Sequence, residues 1–210
     1  MLREFCAENL TNVEKAIRAG AARVELCDDL SVGGVTPSPD VIERAVSVIH
    51  GLGATVMVMV RPRGGDFAYG ERELRAMEEA IRTARALEAD GVVFGCVRED
   101  ALDESATERL AHVARGLDLT FHMAFDEIDP SLQPDALRRL ARLGFSRVLA
   151  HGGPFSRSID ECLPHLCDLV RAAEGRIGVM PGGGVTWENA ERVCERIGAS
   201  EAHGTRIVRL

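Results

Sequence analysis

Short apolar segments alternate with amphipathic ones along the whole chain, and this repeat limits the architecture more than any other feature. The apolar segments read as strands at Leu2 to Cys6, Arg23 to Cys27, Thr55 to Val60, Gly91 to Phe94, Leu119 to His122, Arg147 to His151, Ile177 to Met180 and Glu201 to His203. Helical periodicity fills the intervals at Thr11 to Ala19, Pro39 to His50, Glu71 to Leu87, Glu104 to Arg115, Pro134 to Leu143, Ile159 to Ala173 and Trp187 to Ile197. Strand starts recur at spacings of roughly 20 to 36 residues, which suits one strand, one helix and two short loops per unit. Glycines at 20, 144, 175 and 198 stand where helix C-caps belong, and Ser38-Pro39 reads as an N-cap followed by proline at the first helical position. The pattern predicts an α/β fold, a parallel (β/α)8 TIM-type barrel over residues 1–210 as a single domain, with an open doubly wound sheet as the alternative. The chain ends at Leu210, seven residues after His203. The barrel is therefore expected to lack a full eighth helix, and the apolar strand surface left between the first and seventh helices suggests a homo-oligomer or a thin closure.

Partners are narrowed by charge. With 25 Lys and Arg against 33 Asp and Glu, the net charge is −8 and no basic face stands out, which argues against nucleic acid. No apolar run reaches the ~18 residues that suggest a membrane span. The start, MLREFCAENL, has no basic segment followed by an apolar one, so a cytoplasmic location is expected. Six cysteines are scattered without a CxxC, which favours free thiols over a disulfide framework.

Barrel strands are covered on both faces and should be almost wholly apolar, yet one face of several strands here is polar. Glu4 with Cys6, then Arg23, Glu25 and Cys27, then Arg61 in phase with Met57 and Met59, then Thr120 with His122, then Glu201 with His203, alternate with apolar neighbours. If the apolar face meets the helices, this row lines the lumen. Buried charges need partners, so Glu4, Glu25, Arg61, His122, Glu201 and His203 are expected to form a bonded network. That network either fills the barrel structurally or serves a site at the carboxyl-end mouth.

The third strand ends abruptly in RPRGGDF, Arg61 to Phe67. Arginines at a strand end beside glycines form an anion-holding arrangement. Glu4 or Glu25 is placed to neutralise Arg61, which leaves Arg63 as the better ligand contact. Gly182, Gly183 and Gly184 follow the seventh strand, where barrels often bind phosphate on backbone amides, with Gly204 and Thr205 after the eighth. An enzyme built from these parts would bind a small anionic or phosphorylated substrate through Arg61, Arg63, Asp66, Gly183, Gly184 and Thr205. Glu25, His122, Asp126 and His203 would move protons.

The runs RVELCDDLSVGGVTPS, RPRGGDF, FHMAFD, RVLAHGG and VMPGGGVTWENA closely resemble the CutC family from Phe5 to about His203. That family is described as copper homeostasis proteins with a β/α barrel fold, so the resemblance implies a copper role. Three departures are visible: Met123 stands in place of the arginine of FHRAFD, Ala150-His151 in place of Thr-Ser, and the segment after the eighth strand is short. Cu(I) prefers soft thiolates, often two of them. Glu4-Phe5-Cys6 and Glu25-Leu26-Cys27 are matching Glu-x-Cys ends on adjacent strands, which lie ~4.8 Å apart. Cys6 and Cys27 are thus the candidate metal ligands, or two small buried core residues, with Met57 and Met59 as soft neighbours.

Overall fold

The computed structural model describes all of residues 1–210. Eight parallel strands run in the order of the chain: β1 (Leu2–Glu8), β2 (Arg23–Cys27), β3 (Thr55–Met59), β4 (Gly91–Phe94), β7 (Asp118–Phe121), β8 (Arg147–Ala150), β9 (Gly178–Pro181) and β10 (Glu201–Gly204). Seven helices connect them: α1 (Val13–Arg18), α2 (Pro39–Gly51), α3 (Glu71–Ala86), α4 (Glu104–Val113), α5 (Gln133–Arg142), α6 (Ile159–Ala173) and α7 (Ala190–Ile197). A two-residue-stranded hairpin, β5 (Val97–Arg98) with β6 (Ala101–Leu102), follows β4 and was not legible in the periodicity. The strands follow one another in chain order, and β10 lies against both β1 and β9, so the sheet returns on itself and the open doubly wound alternative fails.

The barrel is nearly closed. β9 and β10 lie side by side, yet no ladder joins them, and they are the two ends of the eight-stranded order. Above the strand ends the gap is stitched by the amide of Trp187, which donates to the Arg206 carbonyl at 2.8 Å. Below, side chains cross it, as described for the site.

The main core lies between the barrel wall and the helices. Val24, Leu26, Val56, Val58, Val92, Phe94, Phe121 and Val148 turn outward from the lumen onto Ile42, Ile49, Met77, Ile81, Leu110, Leu137 and Leu166. Burying one such side chain contributes about 1.5–3 kcal/mol, so this layer carries most of the fold's stability. After β10 the chain inserts Ile207 and Val208 into the same core. The surface expected to be bare for want of an eighth helix is therefore partly covered by the chain itself.

Helix ends follow the sequence with local adjustments. Ser158 and Glu161 form a reciprocal capping box at α6, and the Asp103 carboxylate accepts from the Ala106 amide at α4. Ser38 occupies the N-cap of α2 ahead of Pro39, but its side chain makes no cap hydrogen bond. α1 and α7 begin later than their periodicity indicates: Asn12 before α1 is left-handed, and Asn189 uses its side chain to close the preceding turn.

Candidate functional site

The strand register determines which polar residues meet in the lumen. Glu4 lies opposite Arg23 on one side and His203 on the other; Cys6 lies opposite Glu25, and Glu8 opposite Cys27. The two Glu-x-Cys segments are therefore staggered by two residues instead of level, a displacement that barrel closure requires of tilted strands. Because the stagger is even, every side chain keeps its face.

At the amino-terminal end, charge is fully matched. Arg23 bonds Glu4 and Glu201, and its Nη2 also approaches Met180 Sδ at 3.4 Å. Arg147 donates to Thr120 Oγ1 at 2.9 Å and Asp118 Oδ2 at 2.7 Å, and its Nε lies 3.0 Å from Glu201. Arg23 on β2 and Arg147 on β8 thus converge on Glu201 of β10, so ion pairs span the slit that backbone bonds leave open. Arg147 and Asp118 went unnoticed in the sequence, although the alternation Arg147, Leu149, His151 puts Arg147 on the lumen face.

One layer higher the donors become soft. Cys6 Sγ lies 3.3 Å and Cys27 Sγ 3.5 Å from Glu25 Oε2, and one ligand atom from each of the three residues falls within 4.8 Å of the others. Met57 and Met59 pack against the same two cysteines. A second triad, Glu4, Glu25 and His203, shares Glu25. His203 Nδ1 is bonded to Glu4 Oε1 at 2.8 Å, and its Nε2 lies 3.7 Å from Glu25 Oε2. All five residues are buried.

Their titration follows from these contacts. Burial alone would raise the Glu4 carboxyl, but the His203 hydrogen bond and the Arg23 charge outweigh it and bring it down to about 2. Burial pushes the Glu25 carboxyl well above the carboxylate range, with the His203 charge opposing. Burial disfavours the His203 cation, yet Glu25 and the hydrogen bonds to Cys6 and Glu4 hold it protonated well above the usual histidine range. The Cys27 hydrogen bond lowers the Cys6 thiol far below the ordinary thiol range against the effect of burial, and Cys27 rises correspondingly. One of the two sulfurs is thus prepared to ionise, as a metal ligand must.

Cys27 also depends on a glycine. A Cβ on Gly34 would sit 3.0 Å from Cys27 Sγ, and Gly34 has φ +83°. Gly34→Ala is expected to cost about 1–3 kcal/mol and to displace that thiol; chemical denaturation against the parent protein measures the loss.

The mouth above this layer holds a cavity of about 220 Å³, lined by Glu25, Arg61, His122, His203, Thr205 and apolar side chains that include Met59, Phe67 and Leu149. Arg61 is bonded to neither Glu4 nor Glu25. Its Nη1 donates to the carbonyls of Val32 and Gly34 at 2.9 and 3.1 Å, and its Nη2 donates to that of Gly65 at 2.8 Å. Arg63 is the committed arginine, bonded to Glu73 at 2.6 Å and Asp66 at 2.9 Å and lying over the Tyr69 ring. The sequence suggested the opposite division of labour, because Glu73 lies a helix turn away from the motif and only folding brings it back.

The remaining candidates are placed as follows. His122 lines the same cavity; its Nδ1 accepts from the Ala124 amide at 3.2 Å, and burial with the nearby Arg61 charge lowers it to about 3. Asp126 is outside this cavity and accepts from the amides of His151 and Gly152 at 2.8 Å each. Gly183 gives its carbonyl to His151 Nδ1 at 2.8 Å, and the Phe155 ring stacks on that imidazole. Neither Gly183 nor Gly184 shares the cavity with Arg61.

The chain matches the CutC family model over residues 1–208. It is 44% identical over 209 residues to a CutC family protein of Enterococcus faecalis, covering 99% of this chain and 100% of that one. It is 43% identical over 203 residues to the copper homeostasis protein cutC homolog of Homo sapiens, covering 96% of this chain and 72% of the human one. A crystal structure of a copper homeostasis protein CutC from Streptococcus agalactiae superposes with a TM-score of 0.96 at 48% identity, covering 99% of this chain and all of that one. A deoxyribose-phosphate aldolase structure from Coccidioides immitis shares the barrel alone, with a TM-score of 0.72 at 13% identity over 98% of this chain and 81% of that one.

Proposed function

Since this chain belongs to the CutC family, with a role in copper homeostasis, we propose that it takes part in that role by holding Cu(I) on the thiols of Cys6 and Cys27. The observation that carries this reading is the convergence of two buried thiols within a 4.8 Å group that also includes Glu25. Soft, polarisable donors in a site lined by two further thioethers suit Cu(I) better than any hard divalent ion. Cys6 and Cys27 would hold the ion. His203 Nε2, fixed in orientation by the Glu4 carboxylate on its other nitrogen, stands next to them and would serve as a nitrogen donor once the arriving ion displaces its proton. The ion is cargo in this reading, and the protein's work is to bind it and keep it from water in the cytoplasm. No helix is long and apolar enough to cross a membrane.

Anaerobic titration with Cu(I) against a competing chelator tests the assignment. The expected result is a single tightly held ion per chain that the Cys6→Ser, Cys27→Ser variant fails to retain. Unchanged stoichiometry and affinity in that variant would remove the site.

A further inference from the structure

Three arginines are buried in this barrel: Arg23 at 4% exposure, Arg61 at 5% and Arg147 at 7%. Two of them are neutralised, Arg23 by Glu4 and Glu201, Arg147 by Asp118 and Glu201. Arg61 has only carbonyl oxygens, and its Nε has no partner. A buried cation without an anion is costly, and the rest of the lumen shows that this fold supplies carboxylates where it needs them.

A second unsatisfied donor lies beside it. His122 Nδ1 accepts from the Ala124 amide, so the ring proton resides on Nε2, which is buried and also lacks a partner. The Phe67 ring lies over both groups, 4.7 Å from Arg61 Cζ and 4.9 Å from the His122 centroid. Both residues line the mouth cavity of about 220 Å³.

We infer that this cavity binds a small monocarboxylate, whose oxygens accept from Arg61 and His122 and whose apolar body packs on Phe67, Met59 and Leu149. The volume is larger than the ~150 Å³ that holds a benzene, so a chain of a few carbons fits. A dianion is disfavoured because the amides of Gly183 and Gly184 are not in this cavity and His203, which lines it, is already paired with Glu4. Arg61 supplies one positive charge, and a monocarboxylate supplies one negative charge. The Arg61 partners also explain how the site is built: the loop after β2 delivers Val32 and Gly34, and the Thr36 hydroxyl accepts from the Arg61 amide at 2.8 Å. This leaves the guanidinium fixed before any ligand arrives, which lowers the cost of binding. Cys6 also lines this cavity, but the inference takes its polar contacts from Arg61 and His122 and uses neither thiol as a ligand.

Chelator-treated protein, titrated separately with pentanoate, 1-pentanol and inorganic phosphate, tests it by calorimetry and by the ¹⁵N resonance of His122. Pentanoate is expected to bind with a Kd of about 1 mM or tighter and at least about tenfold better than pentanol, and to shift the His122 Nε2 resonance. Arg61→Met should weaken pentanoate about tenfold or more and leave pentanol unchanged. If that variant does not fold, the pentanoate-to-pentanol ratio and the His122 shift in the parent protein decide the matter. The Cys27→Ser protein, whose altered side chain lies outside this cavity, should bind pentanoate as the parent does, which separates this result from the fate of the copper site. Equal binding of pentanoate and pentanol, an unmoved His122 resonance, or phosphate binding more tightly than pentanoate would each overturn the proposal.

Discussion

Between pH 6.5 and pH 3 the protein should lose about 5 kcal/mol of folding stability to one imidazole, His122, and His122→Asn should abolish most of that slope. Burial, reinforced by the Arg61 charge, lowers the histidine from 6.5 to about 3. Above pH 6.5 the imidazole is neutral in both folded and unfolded chains and stability does not depend on it. Below 6.5 the unfolded chain takes up a proton that the folded chain refuses until about pH 3, so stability falls as pH falls across that window. Asparagine never carries the charge, and its side-chain oxygen can accept from the amide two residues on, as His122 Nδ1 does from Ala124. The variant costs about 1–2 kcal/mol near neutrality from lost packing on Phe67 and Phe121. Urea unfolding at a series of pH values measures both effects, and a variant with the same acid slope as its parent would contradict the assignment. Glu4 acts at lower pH: its folded value of about 2 against 4.5 gives stability that is present above 4.5 and lost as pH falls towards 2. His203, raised well above 6.5, acts in the opposite direction: its contribution is complete below 6.5 and is lost as pH rises through its folded value.

Arg23→Met is expected to cost about 3–5 kcal/mol, the range for breaking a buried pair by removing one partner. The substitution leaves the Glu4 carboxylate, with no exposed surface, facing only His203, and leaves Glu201 with Arg147 alone. Methionine keeps the unbranched stem, so lost packing is a small part of the effect. The double variant Arg23→Met, Glu4→Gln should recover part of the loss, since it removes the stranded charge as well. Denaturant midpoints for the two variants and the parent give the comparison, and equal losses in single and double variants would show that the charge is not responsible.

Most of the fold was legible because a barrel strand declares itself twice, by its apolar outward residues and by the helix that follows. The inward polar row was legible for the same reason: period-two alternation put Glu4, Glu25, His122, Glu201 and His203 on one face, and the structure has them there. Pairing within that row was not, because it depends on register. The two-residue offset between β1 and β2 places Glu25 between the thiols of Cys6 and Cys27, and no local pattern records an offset. The roles of Arg61 and Arg63 were likewise exchanged by contacts distant in sequence, Val32 and Gly34 for one and Glu73 for the other. The glycine triplet after β9 looked like an anion cradle, yet it meets His151, a residue whose relevance only the fold could reveal.

The slit between β9 and β10 gives the wall a hinge line. Seven of the eight neighbouring contacts around the ring are laced by backbone bonds, whereas this one is held by the Glu201 carboxylate gripping arginines from β2 and β8, which lie on opposite sides of it. A ladder yields only as a unit, but a carboxylate can exchange one partner for water and return. The seam between β9 and β10 is therefore the one place where the wall could part without breaking a strand ladder. The wall is thus a ring of seven ladders closed by one clasp, made of the Glu201 ion pairs at strand level and the Trp187 amide above them.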